Sequence, residues 1–554
     1  MTVAAPPRFS VLTTVYDPDP DHLRACLASA DRQTCGDWEH VVVDDASTDS
    51  AVGDVLDRSG SERRHVHRRG SNGGIVAAST DALAAAVGEF VVLLDHDDVL
   101  APAALERLAD AVDGADDPSA VDLLYTDHDL LRPDGRTAWP VYKPDWSPER
   151  LRNHNYITHL VAVRRSLVDD VGGFRPGFDG AQDHDLLLRV SERARTIVHV
   201  PEVLLHWRQS AASVATDTGR KPQAYEAGRR AVADHLARIG VDATVETGAH
   251  DGVYRIRRRL TGTPTVSVVI PTRGSTGRVW GRTRIFVHDA VASLVADAGG
   301  ASRLEFVVVL DSSADPVVER GLGRIAGDAL VVVPYDKAFD FSDKIDAGVA
   351  AAGGDYVLLL NDDTELHTPG SVDEMVGLAQ QADVGMVGAE LLFEDGTLQH
   401  GGHVYNGTIS HALLGWPGDH PGPHRLQAVE RECSGVTAAA ALLRRDVFDE
   451  VGGMSRELPH NYNDVDLSLK LRRAGYRIVW TPHACWWHFE GRSFDHPIDP
   501  AEVAVIERDW HHEIRHDPYY NSNLAPGRTD WLERPGRSGA PPYETLADGT
   551  VVWG

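Results

Sequence analysis

Short apolar runs that stop abruptly at carboxylates recur along this chain. Phe9-Ser10-Val11-Leu12-Thr13-Thr14-Val15-Tyr16 is a β-rich run ending at the turn Asp17-Pro18-Asp19-Pro20. His22 to Ala30 follows, with Leu23, Cys26, Leu27 and Ala30 on one helical face. Glu39 to Val43 predicts a second strand that closes on Asp44-Asp45-Ala46-Ser47. After the turn Asn72-Gly73-Gly74 and a helix from Ile75 to Val87, Val91-Val92-Leu93-Leu94 runs straight into Asp95-His96-Asp97-Asp98. Four apolar residues are too few for most helices, so this is the pattern of a buried central strand ending at a site. The alternation of strands and helices predicts an α/β, Rossmann-like sheet, whose ligands sit at the carboxyl ends of the strands.

Beyond the carboxylates, Leu123 to Asp127 reads as a strand and Pro140 to Pro148 as an aromatic, proline-rich loop. Gln182-Asp183-His184-Asp185 opens an apolar helix, where Asp183 is either a helix cap or, beside a sugar, a group that takes a proton. Val203 to Arg208 is a strand ending on His206. Lys221 to Ile239 has the periodicity of an amphipathic connecting helix. Arg255, Arg257, Arg258 and Arg259 after it read as a solvated face.

The same order then starts again. Val266 to Arg273 matches the first strand, and Phe306 to Leu310 ends on Asp311, with one carboxylate where the first copy has two. Tyr356 to Leu360 ends on Asn361-Asp362-Asp363. Fifty-two residues separate Asp45 from Asp97, and fifty-two separate Asp311 from Asp363. The acidic helix start recurs at Asp464, and the strand ending on histidine recurs at His488, 24 residues later, against 23 from Asp183 to His206. A repeat of this length means duplicated domains rather than a solenoid. The expected organisation is a first domain over 1–215, a linker with a helix and short strands over 216–262, a second domain over 263–500 and a tail over 501–554.

Composition narrows the partners. A length of 554 residues allows two sizeable cores, and a net charge of −29 argues against nucleic acid as a partner. Four unpatterned cysteines suit a reducing compartment and offer no metal spacing. No apolar run approaches the ~18 residues of a membrane span. The expected location is cytoplasmic, with peripheral attachment to the cytoplasmic face of a membrane left open. Asp95 and Asp97 offer hard oxygen ligands to a divalent cation, for which a metal diphosphate is the natural guest. Trp207, Trp486 and Trp487 are read equally as sugar-stacking or as core residues.

This order of motifs resembles the family-2 glycosyltransferases, enzymes of the GT-A fold that use nucleotide sugars. The residues that carry the resemblance are Asp44-Asp45-Ala46-Ser47, Asp95-His96-Asp97, Gln182-Asp183, Asn361-Asp362-Asp363-Thr364-Glu365 and the late histidines. The tail Asp517-Pro518-Tyr519-Tyr520-Asn521-Ser522-Asn523-Leu524 is similar to the ending of bacterial members that build O-antigen, capsule or wall polysaccharides. The resemblance implies two GT-A domains, each with a mixed central sheet, and an inverting transfer from a UDP- or dTDP-sugar to a glycan or lipid-linked glycan. It implies that Asp45, Asp95, Asp311 and Asn361 bind the nucleotide. Asp97, His206, Asp363 and His488 would hold Mn²⁺ or Mg²⁺, and Asp183 and Asp464 would be the bases. Gln182 stands where the family often has Glu, and Asn361 replaces the first acid of the metal motif. Two active sites are expected; should only one copy be active, the second is the candidate for a noncatalytic glycan-binding or docking domain.

Overall fold

The computed structural model describes residues 6–208, 221–297, 300–489, 498–535, 543–545 and 551–553. The chain divides into two compact units. The first comprises Met1–Ile256 with Asn521–Leu524 and Glu533–Gly554, the second Arg257–Tyr520 with Ala525–Leu532. The expected boundary at 215/216 lies outside the described residues.

In the first unit the apolar run Phe9–Val15 lies at the centre of a mixed nine-stranded sheet. Trp38–Asp44 and Phe90–Leu93 flank it, both parallel to it. Every residue of Trp38–Asp44 is buried, which is why that strand lacks polar alternation. Beyond Phe90–Leu93 come Val161–Arg164, Val121–Leu131, Thr196–Arg208 and the short Val99–Leu100. Val161–Arg164 is antiparallel to Phe90–Leu93, so the sheet is mixed where the chain leaves the carboxylate cluster. Helix Lys221–Arg238 and the strand Ala243–Thr247 pack here. Ala227, Ala231, Val232, Leu236 and Val245 join the core cluster built on Leu12, Val41 and Val91. The helical part of the segment read as a linker is thus part of the first unit's core.

Asn521 also belongs to this unit. Its Nδ2 donates to Asp127 Oδ2 and to Lys143 O, both at 2.9 Å.

The second unit repeats the design in a ten-stranded sheet. Its order is Leu330–Tyr335, Arg303–Asp311, Thr265–Thr272, Tyr356–Leu360, Ala440–Arg444, Val384–Leu392, Arg477–His488 and Thr364–Leu366. The central three are again parallel and the fourth antiparallel. Two additions distinguish it. The hairpin His403–Tyr405/Ile409–His411 follows Leu398–His400, and helix Pro500–Arg515 packs Ile506, Trp510 and Ile514 against Tyr405, Val465 and Leu469.

Candidate active sites at the strand ends

In the second unit three distant pieces of sequence meet. Tyr356–Leu360 delivers Asn361, Asp362 and Asp363, helix Asn463–Arg473 delivers Asp464, and Arg477–His488 delivers His488. All five residues line one cleft of about 550 Å³, together with Thr272, Arg273, Gln399 and Thr437. His488 Nδ1 bonds Gln399 Oε1 at 2.6 Å. An amide oxygen only accepts, so the imidazole proton sits on Nδ1 and Nε2 presents a lone pair. That nitrogen lies 3.2 Å from Asp363 Oδ1 and 3.3 Å from Asn361 Nδ2. Asn361 Oδ1 is buried and lacks a hydrogen-bond partner among the described residues. A carboxylate oxygen and an imidazole nitrogen 3.2 Å apart, with the Asn361 amide beside them, form a donor set for a divalent cation with both oxygen and nitrogen ligands.

The charges around this point are set by burial. Asp362 accepts from Thr272 Oγ1 at 2.5 Å, yet burial and then Asp363 raise it to about 7. Burial also raises Asp464, against hydrogen bonds from Thr437, Val465 and Ala438 and the pull of His411. Asp464 Oδ1 accepts from Val465 N at 2.8 Å and Oδ2 from Ala438 N at 3.3 Å. Asp311 lies outside the cleft wall, ion-paired to the buried Lys344 and 3.8 Å from Arg273 Nε.

The first unit brings fewer of its expected residues together. Asp95 and Asp183 line one cleft of about 220 Å³ with Thr14, Thr158, His159 and Gln182. Asp183 Oδ2 accepts from Asn155 Nδ2 at 2.9 Å. Asp45 is taken up by its own loop, accepting from Arg69 Nη1 at 2.5 Å, Gly73 N at 2.9 Å and Gly74 N at 2.8 Å. Gly74 holds φ at +85°, and a Cβ there would lie 2.9 Å from Asp179 Oδ1, so this close turn requires glycine.

His206 is not brought to Asp97. Its Nδ1 bonds Asp129 Oδ1 at 2.6 Å. Strand register is the cause. In the second unit Thr364, one residue after Asp363, pairs with His488. In the first, Val99, two residues after Asp97, pairs with His206. The position of His488 is therefore held by Trp207, and successive strand residues point to opposite faces.

An imidazole nonetheless reaches the first site. Asp95, Asp98 and His159 place one ligand atom each within 4.8 Å of one another, and His159 Nε2 is 3.6 Å from Asp95 Oδ2. Asp98 Oδ2 is buried with no hydrogen-bond partner among the described residues. Burial, then Asp95 and Asp97, raise its carboxyl well above the ordinary range. His159 lies five residues before Arg164, which pairs with Phe90; Ala439 lies five before Arg444, which pairs with Tyr356. Each unit thus supplies its imidazole from a different strand, with Trp207 and Ala439 at the positions left over. Sequence reading passed over His159 because nothing in the second copy repeats it. Asp98 was in view as the last acid of its cluster.

Comparison with known proteins follows the same division. Residues 10–172 match the family described as Glycosyl transferase family 2, and residues 264–499 the one described as Glycosyltransferase like family 2. Over 543 residues the chain is 38% identical to the uncharacterized protein y4gI of Sinorhizobium fredii, covering 95% of this chain and 58% of that one. Over 534 residues it is 35% identical to the O-antigen biosynthesis protein RfbC of Myxococcus xanthus, covering 95% of this chain and 41% of that one. The chain therefore spans less than two thirds of the length of either relative. Among solved structures, the mannosyltransferase PcManGT from Pyrobaculum calidifontis in complex with GDP-Man and Mn²⁺ is 22% identical. That match covers 43% of this chain and 65% of that one, with a TM-score of 0.31.

Proposed function

We propose a function from one premise: this chain belongs to glycosyl transferase family 2 and carries two domains of that family in tandem. Its reaction is transfer of a sugar from a nucleoside-diphosphate sugar to a hydroxyl of a bacterial surface glycan, with inversion at the anomeric carbon. The observation that carries this reading is the convergence of Asn361, Asp363, Asp464 and His488 on one cleft. The similarity to an O-antigen biosynthesis protein supports a surface polysaccharide as the product. Among the described residues no helix is long and apolar enough to cross a membrane. We place the reaction at the cytoplasmic face, where nucleotide sugars are made.

Asp363 and His488, with Asn361 beside them, would hold Mn²⁺ or Mg²⁺ in the second unit. In the first, Asp95, Asp98 and His159 fit the same ion, with Asp97 next in the chain. When bound, the cation stabilises the negative charge of the departing diphosphate. Asp45 and Asp311 brace the loops on the nucleotide side. Asp464 and Asp183 take the proton of the attacking hydroxyl. A carboxylate is far too weak to form an alkoxide beforehand, so proton transfer accompanies attack.

The test is a donor screen on the intact chain with UDP-, dTDP- and GDP-sugars, with Mn²⁺ or Mg²⁺, recording nucleoside diphosphate release. Release that needs both a cation and a glycan acceptor is expected. No release from any donor, with no donor binding by calorimetry, rejects the reading. A second reading keeps one unit as a noncatalytic glycan-binding domain. The displaced His206 and the smaller cleft favour the first unit for that role, and single Asp183→Asn and Asp464→Asn variants distinguish the two.

Two smaller effects follow. Gln399 orients His488, so Gln399→Ala is expected to weaken Mn²⁺ binding by about 10–100-fold in calorimetric titration. Burial raises Asp464, and only its ionised form accepts a proton. The second unit's kcat/KM, measured in an Asp183→Asn background, should therefore fall as pH drops through a point above the ordinary aspartate value of about 3.9. A profile flat down to about pH 4 would remove Asp464 from the role of base.

A further inference from the structure

We infer that His400, His403 and His411 form a second cation site in the second unit, built for a transition ion of the zinc class. His403 and His411 are direct partners across the hairpin His403–Tyr405/Ile409–His411, and His400 ends the preceding strand Leu398–His400. One ligand nitrogen from each lies within 4.8 Å of the others. The ring centroids are 4.8 to 5.1 Å apart in all three pairs. All three side chains sit on strands, so their placement is set by sheet register.

The chemistry of the set selects the ion. Three imidazoles without a carboxylate suit zinc, cobalt, nickel or copper better than the hard cations that oxygen donors attract. Burial pushes His403 and His411 down to about 3 and His400 well below its usual value, so all three rings stay neutral, the form that ligates. Thr437 N donates to His400 Nε2 at 3.2 Å, which places that ring's proton on Nδ1. His400 Nδ1 lies 2.7 Å from His411 Nδ1, so the two nitrogens share this proton. An ion takes its place between them. The proton moves to His400 Nε2, the Thr437 contact is given up, and no charge is left unbalanced on the rings. Two neutral imidazoles then ligate where two were hydrogen-bonded.

Three protein ligands leave a fourth position. His411 is a wall residue of the 550 Å³ cleft, so that position opens on the same space as Asp464. A three-histidine set with an open fourth position is the arrangement of catalytic rather than closed structural zinc. The site shares no ligand with Asp363 and His488. Gln399 stands between the two, bonded to His488 and adjacent in sequence to His400. The inference stands apart from the proposed sugar transfer, since it concerns ion binding alone.

The test uses the full chain without a polyhistidine tag, stripped by chelator and titrated with Zn²⁺ and with Co²⁺. The expected result is one tightly bound zinc per chain by elemental analysis, and cobalt absorption of a tetrahedral site. The pair His403→Gln with His411→Gln should weaken zinc binding by at least ~100-fold, and Asp363→Asn with His488→Gln should leave it within about 3-fold. If the first pair does not fold, His411→Gln alone, at the half-buried wall position, serves. Zinc bound equally by the His411 variant, or no stoichiometric zinc in the parent chain, overturns the site.

Discussion

Replacing Asp464 by Asn is expected to lower sugar transfer by the second unit by about 10²–10⁴. Asn has the same shape, and its single amide oxygen can still accept from Val465 N at the 2.8 Å position, while only the longer 3.3 Å contact from Ala438 N is given up. The fold and the donor affinity should therefore survive. What is lost is an atom able to take a proton at the moment of attack. Because two units share the chain, the measurement is made per donor on Asp183→Asn, Asp464→Asn and the double variant. Two active units predict that each single change silences one activity and the double change both. Transfer undiminished in the double variant would rule out both aspartates as bases.

Asp185→Ala is expected to destabilise the first unit by about 3–5 kcal/mol, the cost of breaking a buried ion pair from one side. Asp185 is fully buried and accepts from Arg175 Nε at 3.0 Å and Arg189 Nη2 at 2.7 Å. Arg189 in turn donates to Val171 O and Gly173 O, both at 2.7 Å. The carboxylate thereby anchors the helix that carries Asp183 to the loop before it. Its removal leaves two guanidinium groups without their shared counter-charge. In denaturant titration the first unit's transition should move while the second unit's stays. A shift under about 0.5 kcal/mol, typical of surface changes, would contradict the anchoring role.

These two aspartates show how far the sequence could be read. Gln182-Asp183-His184-Asp185 and Asn463-Asp464-Val465-Asp466 look alike along the chain, and the acidic helix start was visible in both copies. The first acid of each turns to the cleft. The second is structural, since Asp466 binds Lys470 and Trp510 where Asp185 binds two arginines. Strand ends were legible because short, wholly apolar runs stop abruptly at carboxylates, so Asp95 and Asp363 marked where the sheet meets a cleft. Register was not. A one-residue difference in spacing, 23 against 24, looks trivial in a list of motifs. In a pleated strand it turns His206 to the opposite face and puts Trp207 in the place of His488. The His400–His403–His411 cluster was equally invisible, because its neighbours are made by a hairpin whose partners the sequence does not name.

The incorporation of Asn521 into the first unit has a consequence for biosynthesis. Asp127 is wholly buried, and two of its hydrogen bonds come from residues more than 390 positions later, Asn521 and Asn523. As the ribosome releases the amino-terminal half, that half lacks a native hydrogen-bond donor to a desolvated carboxylate, and the second domain must be translated before the donor emerges. Vectorial folding of the first domain is thus left incomplete until the sequence of the second has been synthesised.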